Sequence, residues 1–399
     1  GVEMARISLW LPPFSPDYSG AAAVLFDLKT VTAMHDGSGC TGNYTGYDEP
    51  RWYGSASGIF CSGLREIDAV LGDDEKLIRK MIRAAEDIRP DILALIGSPV
   101  PMVIGADLAG IARELEERTG IVSMGFNTTG TAYYDKGAYM AAAELLRRFA
   151  PSGERRPGRV NILGALPMDF YKGRETALLK AFLEDAGYEV GLTLAMDYTL
   201  EQLRRAGTAQ VNVAVSRFGL LTARYMEREY GIPYLCGFPA GEQAQQGWLA
   251  ALEPTAREQV SRIWKDADSA GSARAEAGPS ILIVGEQVMA ASMRTGFRRE
   301  MGFSRVAVGC LYGAEKCLME SGDVNLPTER DIKAAVNSGA YDLVIADPFL
   351  KCLLERENVG FLPFAQYAVS SKLGTGAQAS VFGVNFNRWF QSKKEELGI

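Results

Sequence analysis

"VNVAVSRFGLLTARYMEREYGIPYLCGFPAG" (residues 211–241) contains one complete folding unit. It opens on a Val-rich apolar run too short for a helix. An amphipathic stretch, "LLTARYMEREY", follows, and a second short apolar run, "GIPYLCG", closes it. Strand, helix, strand is the reading that these lengths and periods favour. The unit recurs on either side. "DILALIGSP" (91–99) leads through a helical stretch to "GIVSMGFN" (120–127). "YDLVIADPF" (341–349) leads through "LKCLLEREN" to "VGFLPFAQY" (359–367). Further βα units are "RVNILGA" (159–165) with "GRETALLKAFLEDAG" (173–187), and "SILIVGE" (280–286) with "MAASMRTGFRREMG" (289–302) and "RVAVGCLY" (305–312). Alternation of this kind predicts parallel sheets covered on both faces.

Two Gly/Ser/Pro-rich, charged breaks punctuate the series, "PSGERRPG" (151–158) and "SAGSARAEAGPS" (269–280). The expected architecture is therefore α/β, with three tandem Rossmann-like domains around a central cleft. Residues 1–157 form a non-repeating N-terminal segment plus the first domain, 158–275 the second and 276–399 the third. Ligands of such sheets bind outside the carboxyl ends of the strands.

The chain of 399 residues has 47% apolar and 23% charged residues, an ordinary globular balance. A net charge of −7 argues against nucleic acid or an anionic membrane as the main partner. No apolar run is long enough to span a membrane, and no signal-peptide pattern opens the chain. The opening Gly-Val-Glu reads as an addition ahead of a native Met4. Six cysteines in a chain of this length do not make a secreted disulfide scaffold. They fit a reducing cytoplasm, where clustered thiols bind metal or do redox work.

Familiar catalytic patterns are missing. There is no GxxxxGK[ST], so ATP is not expected on this chain through a phosphate loop. "GTGAQAS" (374–380) is Gly-rich but reads as a plain loop. HExxH, GxSxG and CxxC do not occur, and a single histidine, His35, makes a protease triad untenable. Cys310, Cys317 and Cys352 read as small buried hydrophobes. Cys236, at a strand end, either packs or faces the cleft as a pocket residue.

That leaves "HDGSGCTGNYTGYDEPRWYGSASGIFCSG" (35–63), with His35, Cys40, Cys61 and seven glycines. It reads as a loop wrapped around something, in which "YTGYDEPRWY" (44–53) either shields a cluster, lines a pocket or packs on the surface. Iron–sulfur clusters take thiolates from such backbone, whose glycines let amide groups approach the sulfides.

Several stretches, in order, resemble component 1 of the nitrogenase family. "SPDYSGAAAVLFDLKTVTAMHDGSGC" (15–40) is similar to the family's Cys-x-Pro…Gly-Ala…His-Gly-x-x-Gly-Cys segment. "SGLREIDAVLGDDEKL" (62–77), "IGADL" (104–108) and "MEREYGIPYLCGFPAG" (226–241) resemble three later segments. The resemblance covers most of residues 12–245 and implies a component that takes electrons from a separate ATP-hydrolysing iron–sulfur reductase. The electrons pass through a cluster at a subunit interface.

Departures from the pattern carry as much meaning. Cys40 falls on an interface-cluster cysteine, but Ser15 replaces the preceding one and Ser98 or Pro99 the following one. Cys61 falls where the family commonly has Ser or Thr. The family's cofactor-binding cysteine falls on Val215 or Ser216, and the third domain has no histidine. A molybdenum–iron cofactor bound in the usual way is therefore not expected. The resemblance implies a metal-binding, electron-transferring reductase component with a [4Fe–4S] cluster, acting on a tetrapyrrole or a small unsaturated or sulfur-containing molecule. The alternatives are a scaffold for metallocofactor assembly or a metal-free small-molecule binding protein. One chain offers two thiols where a cluster takes four, so Cys40 and Cys61 from each of two copies would complete it. A two-fold homodimer is expected, with a heterodimer of related chains as the alternative. His35, five residues before Cys40, is expected to hydrogen-bond the loop, and Ser98 to border the site.

Overall fold

The computed structural model describes residues 8–37, 39–52, 58–63, 74–266 and 278–399. Fourteen strands among these residues form three separate, fully parallel sheets.

The first sheet comprises β1 (Thr30–Met34), β2 (Gly58–Cys61), β3 (Ile92–Ile96) and β4 (Val122–Phe126), in the order β2-β1-β3-β4. The second comprises β5 (Arg156–Leu163), β6 (Glu189–Leu194), β7 (Ala209–Ala214), β8 (Tyr234–Cys236) and β9 (Arg262–Ile263), in the order β6-β5-β7-β8-β9. The third comprises β10 (Ile281–Gly285), β11 (Val306–Cys310), β12 (Val324–Asn325), β13 (Leu343–Ala346) and β14 (Gly360–Pro363), in the order β12-β11-β10-β13-β14. Residues 211 and 342, in the second and third repeats, do not share a sheet. The expected boundary near 157 falls inside β5, and the one near 275 lies outside the described residues.

Each sheet has one point where the strand order reverses, between β1 and β3, β5 and β7, and β10 and β13. Loops leave such a point in opposite directions and open a crevice at the carboxyl ends. Burial on both faces explains the continuous apolar runs: every residue of β3 and β10 is buried.

The N-terminal segment is not an appendage to the first sheet. β1 pairs with both β2 and β3 and so lies inside it. The helix Asp17–Leu25 is buried along its whole length against the helix Tyr134–Phe149. Two glycines allow the close crossing. A Cβ at Gly20 would lie 1.9 Å from the Tyr134 carbonyl oxygen, and one at Gly137 would lie 1.8 Å from that of Asp17.

One expected helix is shortened. Residues 350–358 have helical spacing, yet the chain makes a 3-10 helix, Pro348–Leu353, and then extends. Asn337 explains the ending. Its Oδ1 accepts the Glu355 and Arg356 amides at 2.8 and 3.3 Å, and its Nδ2 donates to the Leu353 carbonyl at 2.7 Å. Those backbone groups are then unavailable to a helical ladder. Among the described residues, no helix is long and apolar enough to cross a membrane.

Candidate functional site

The crevice of the first sheet collects most of the residues singled out from the sequence. His35 and Asp36 follow β1, Cys61 ends β2, and Ser98 follows β3. Among its described residues, the 35–63 stretch forms regular elements in place of the expected wrapping loop. Cys40 sits on a short helix, Gly39–Asn43, which continues as a π-turn, Tyr44–Asp48. Cys61 is the last residue of a strand.

Asp36 organises this edge. Its Oδ2 accepts the Cys40 amide at 2.8 Å, and its carbonyl accepts from the Cys61 thiol at 3.1 Å. Ser98 Oγ donates to the His35 carbonyl at 2.9 Å and lies 3.4 Å from Asp36 Oδ1. His35 Nδ1 is 3.0 Å from Ser62 Oγ, and burial holds the imidazole below its usual range. Both thiols are half-buried. Burial and the Asp36 charge push the Cys40 thiol up, while hydrogen bonds with Tyr18 and Ser98 oppose the shift.

Ser15 has a different occupation from the cysteine it replaces. It is buried, and its hydroxyl donates to Asp48 Oδ1 at 3.0 Å. Asp48 also accepts from Ser19 at 2.6 Å and Asn43 at 3.1 Å; burial raises its carboxyl to about 6. Ser15 and Ser98 are thus engaged inside the fold. Ser216, at the family's cofactor-cysteine position, caps the helix Arg217–Tyr230 by accepting the Gly219 amide at 3.1 Å.

The aromatic stretch divides. Tyr44 is buried and donates to Glu49 at 3.1 Å, Tyr47 is exposed, and Tyr53 lies outside the described residues. The segment 374–380 continues a 3-10 turn, Ser371–Ala377, instead of opening a helix after a strand. Cys310 is buried as expected, but Cys317 and Cys352 are exposed. Both lie on 3-10 turns at the surface, Lys316–Leu318 and Pro348–Leu353, which offer no second covering layer.

A second polar centre lies where the three units meet. Asp135 and Glu315 flank the Arg217 guanidinium, and Glu315 Oε1 is 3.1 Å from Arg217 Nε. Glu286 accepts the amides of Val288, Met289 and Arg217, each at 2.9 Å. The Tyr134 hydroxyl donates to Asp169. Cys236 is fully buried near this centre, and burial pushes its thiol well up. None of these acids stood out in the sequence, because each follows a different strand and shares no motif with the others.

Residues 366–368 connect the two centres. The Gln366 amide donates to Asp347 at 2.8 Å, the Tyr367 hydroxyl to the Tyr47 carbonyl at 2.7 Å, and the Ala368 carbonyl accepts the Ser15 amide at 2.9 Å.

A family model for nitrogenase component 1 type oxidoreductases matches residues 16–366. The chain belongs to that family. Its relatives include a light-independent protochlorophyllide reductase subunit of Synechococcus sp. (strain JA-2-3B'a(2-13)), 26% identical in an alignment of 288 positions that covers 63% of this chain and 55% of the relative. The nitrogenase iron-molybdenum cofactor biosynthesis protein NifE of Methanosarcina barkeri is 28% identical in an alignment of 241 positions that covers 55% of this chain and 50% of the relative. The chain therefore spans about half the length of the curated relatives it matches. The fold agrees with that of a solved nitrogenase, "Nitrogenase Cp1 at pH 6.5", at a TM-score of 0.74 and 13% identity, over 100% of this chain and 94% of that one.

Within this component 1 type fold, the donor set for iron is thin. Among the described residues no group of three or more His, Cys, Asp or Glu side chains is arranged to hold a metal. Cys40 and Cys61 are the thiols at the first-sheet edge, and a Cβ placed on Gly39 or Gly42 meets nothing within 4 Å. Two sulfurs from one chain are half of the four thiolates that a [4Fe–4S] cluster takes.

Proposed function

We propose that this chain is the electron-accepting component of a nitrogenase-like reductase. In this reading Cys40 and Cys61 of each of two copies ligate a [4Fe–4S] cluster at a two-fold interface. The cluster would supply single-electron storage between a separate ATP-dependent iron–sulfur reductase and a substrate. Tetrapyrroles and small unsaturated or sulfur-containing molecules are the substrate class, in line with the protochlorophyllide reductase relative. The molybdenum–iron cofactor is not part of this reading, because Ser216 serves as a helix cap and the third unit has no histidine.

The observation that carries it is the convergence on Asp36. Cysteines from two segments, Gly39–Asn43 and Gly58–Cys61, both hydrogen-bond one residue at the sheet's reversal point. Support for a dimer comes from the helix Pro99–Ile104, which begins beside Ser98 and leaves Val100, Met102 and Ile104 exposed. The chain's own residues then do three things. Asp36 orients the two cysteine segments, the Tyr18 and Ser98 hydroxyls favour the Cys40 thiolate, and glycines 39 and 42 admit a close neighbour.

Replacing each cysteine by alanine, with anaerobic purification, tests the assignment. Iron falls several-fold and the reduced-state EPR signal disappears in both variants. Full iron and an unchanged spectrum in Cys61→Ala would defeat the two-plus-two arrangement. The NifE relative favours a second reading, an assembly scaffold. Turnover with the reductase, absent from a scaffold, separates the two.

A further inference from the structure

Asp169 and Glu286 approach each other from different sheets. Asp169 lies on the helical turn Pro167–Phe170 after β5, and Glu286 directly follows β10. Both line a cavity of about 20 Å³ with Phe170, Met289, Met293 and Gln366. A volume of roughly 10–15 Å³ of this kind admits one water, provided polar partners surround it.

The two carboxyls are satisfied very unequally. Glu286 is buried and receives three backbone N–H groups, the pattern that supports a charged acceptor at a helix start. Asp169 as a residue is half-buried, yet its carboxyl is sealed off. Oδ1 accepts from the Tyr134 hydroxyl, and Oδ2 is buried with no hydrogen-bond partner. A buried carboxylate oxygen without a donor is costly, whereas a carboxylic acid carries its own donor.

We propose that Asp169 and Glu286 form a proton-sharing acid pair that binds one internal water where the three sheets meet. Asp169 is the protonated member, and its O–H points toward the water or Glu286. Tyr134, from the first unit, steadies the other oxygen. Among the described residues, no cationic side chain is ion-paired with either carboxyl. Asp135 contributes a further negative charge. The Arg217 guanidinium faces Asp135, Glu315 and the Tyr312 carbonyl, while only its backbone amide reaches Glu286. The Tyr134 and Tyr312 hydroxyls and the Cys236 and Cys310 thiols, also near, are all shifted upward by burial and stay neutral.

The linkage has a definite sign. Burial raises both carboxyls above their unfolded values, Glu286 to about 7. The folded protein therefore binds protons that the unfolded chain has released. Glu286's share of this stability is fully present below the unfolded carboxylate range near pH 4 and is lost as pH rises through about 7, and Asp169's share is lost in the same direction. The inference does not depend on iron being bound.

Infrared difference spectroscopy of the full chain near neutral pH tests it. Wild type should show the C=O stretch of a buried carboxylic acid, absent from Asp169→Asn. That variant should fold normally, and its melting temperature should fall less from pH 5 to pH 8. An Asp169 that reads as carboxylate near neutral pH would overturn the proposal, as would an unaltered pH profile in a folded Asp169→Asn. Should that variant not fold, Tyr134→Phe serves. Loss of the Tyr134 donor should shift the acid band without abolishing it, and no acid band in Tyr134→Phe would count against the pair.

Discussion

The crevice of the first sheet and the junction of the second and third are both reversal points of parallel strands, but they bury different chemistry. At the first, half-buried thiols sit among groups already paired to backbone: Ser98 to the His35 carbonyl, Cys61 to the Asp36 carbonyl. At the second, carboxyls are sealed in, one of them with an oxygen that no donor reaches. At the thiol edge Asp36, Ser98 and Cys61 are paired while Thr41 Oγ1 is not, and Gly39 and Gly42 have open space beside them. The acid junction leaves one buried carboxyl oxygen without a donor. The unpaired atom is thus a neutral hydroxyl at one centre and a carboxyl oxygen at the other, and the second is the costlier to bury.

The comparison can be broken by moving both regions at once. Gly137→Ala places a methyl 1.8 Å from the Asp17 carbonyl oxygen, on the crossing between the helix after Ser15 and the helix that begins at Tyr134. A loss of about 3 kcal/mol is expected from such overpacking, with iron content and the pH profile of stability both disturbed. Urea denaturation with paired iron assays would show it, and a change in only one readout would mean that the regions do not share this support.

Asp36→Ala sharpens the contrast from the thiol side. Removing the carboxylate leaves the Cys40 amide without its acceptor, at about 1–2 kcal/mol. Iron is expected to drop several-fold while the slope of melting temperature between pH 5 and pH 8 stays as in wild type. Retention of full iron would remove Asp36 from its organising role.

Glu286→Gln acts from the other side and has the smallest effect. The amide oxygen can still accept backbone N–H groups, but the nitrogen that replaces the other oxygen cannot and the charge is lost, so roughly 1 kcal/mol of helix capping is at stake near neutral pH. Because burial raises this carboxyl to about 7, the variant should lose part of the wild-type decline in stability as pH rises through 7. Calorimetry across that range, with iron unchanged, is the expected result.

Much of the architecture was legible because parallel strands buried on both faces announce themselves as short apolar runs. The runs at 91–99, 211–219 and 341–349 all became interior strands. β1 and β2 were not placed. "TVTAM" has the β-branched character of a strand, but its parallel partner Gly58–Cys61 is short and Gly-bounded, so no repeat drew attention to it. The thiol edge was partly legible, since Cys40, Cys61 and His35 share one stretch. Asp36 lies in that stretch, yet its role depends on the carbonyl it turns toward Cys61, which no spacing encodes. The acid junction was invisible for a stronger reason. Tyr134, Asp169 and Glu286 are brought together only when three sheets meet.

The run Gln366-Tyr367-Ala368 has a mechanical consequence. Its members hold, in succession, a wall of the acid cavity, the carbonyl of Tyr47 and the backbone of Ser15. Three adjacent residues of one chain segment cannot be displaced independently by more than their bond geometry allows. A tilt of the third sheet that widened the acid cavity would therefore be felt, within three consecutive residues, at the base of the thiol edge.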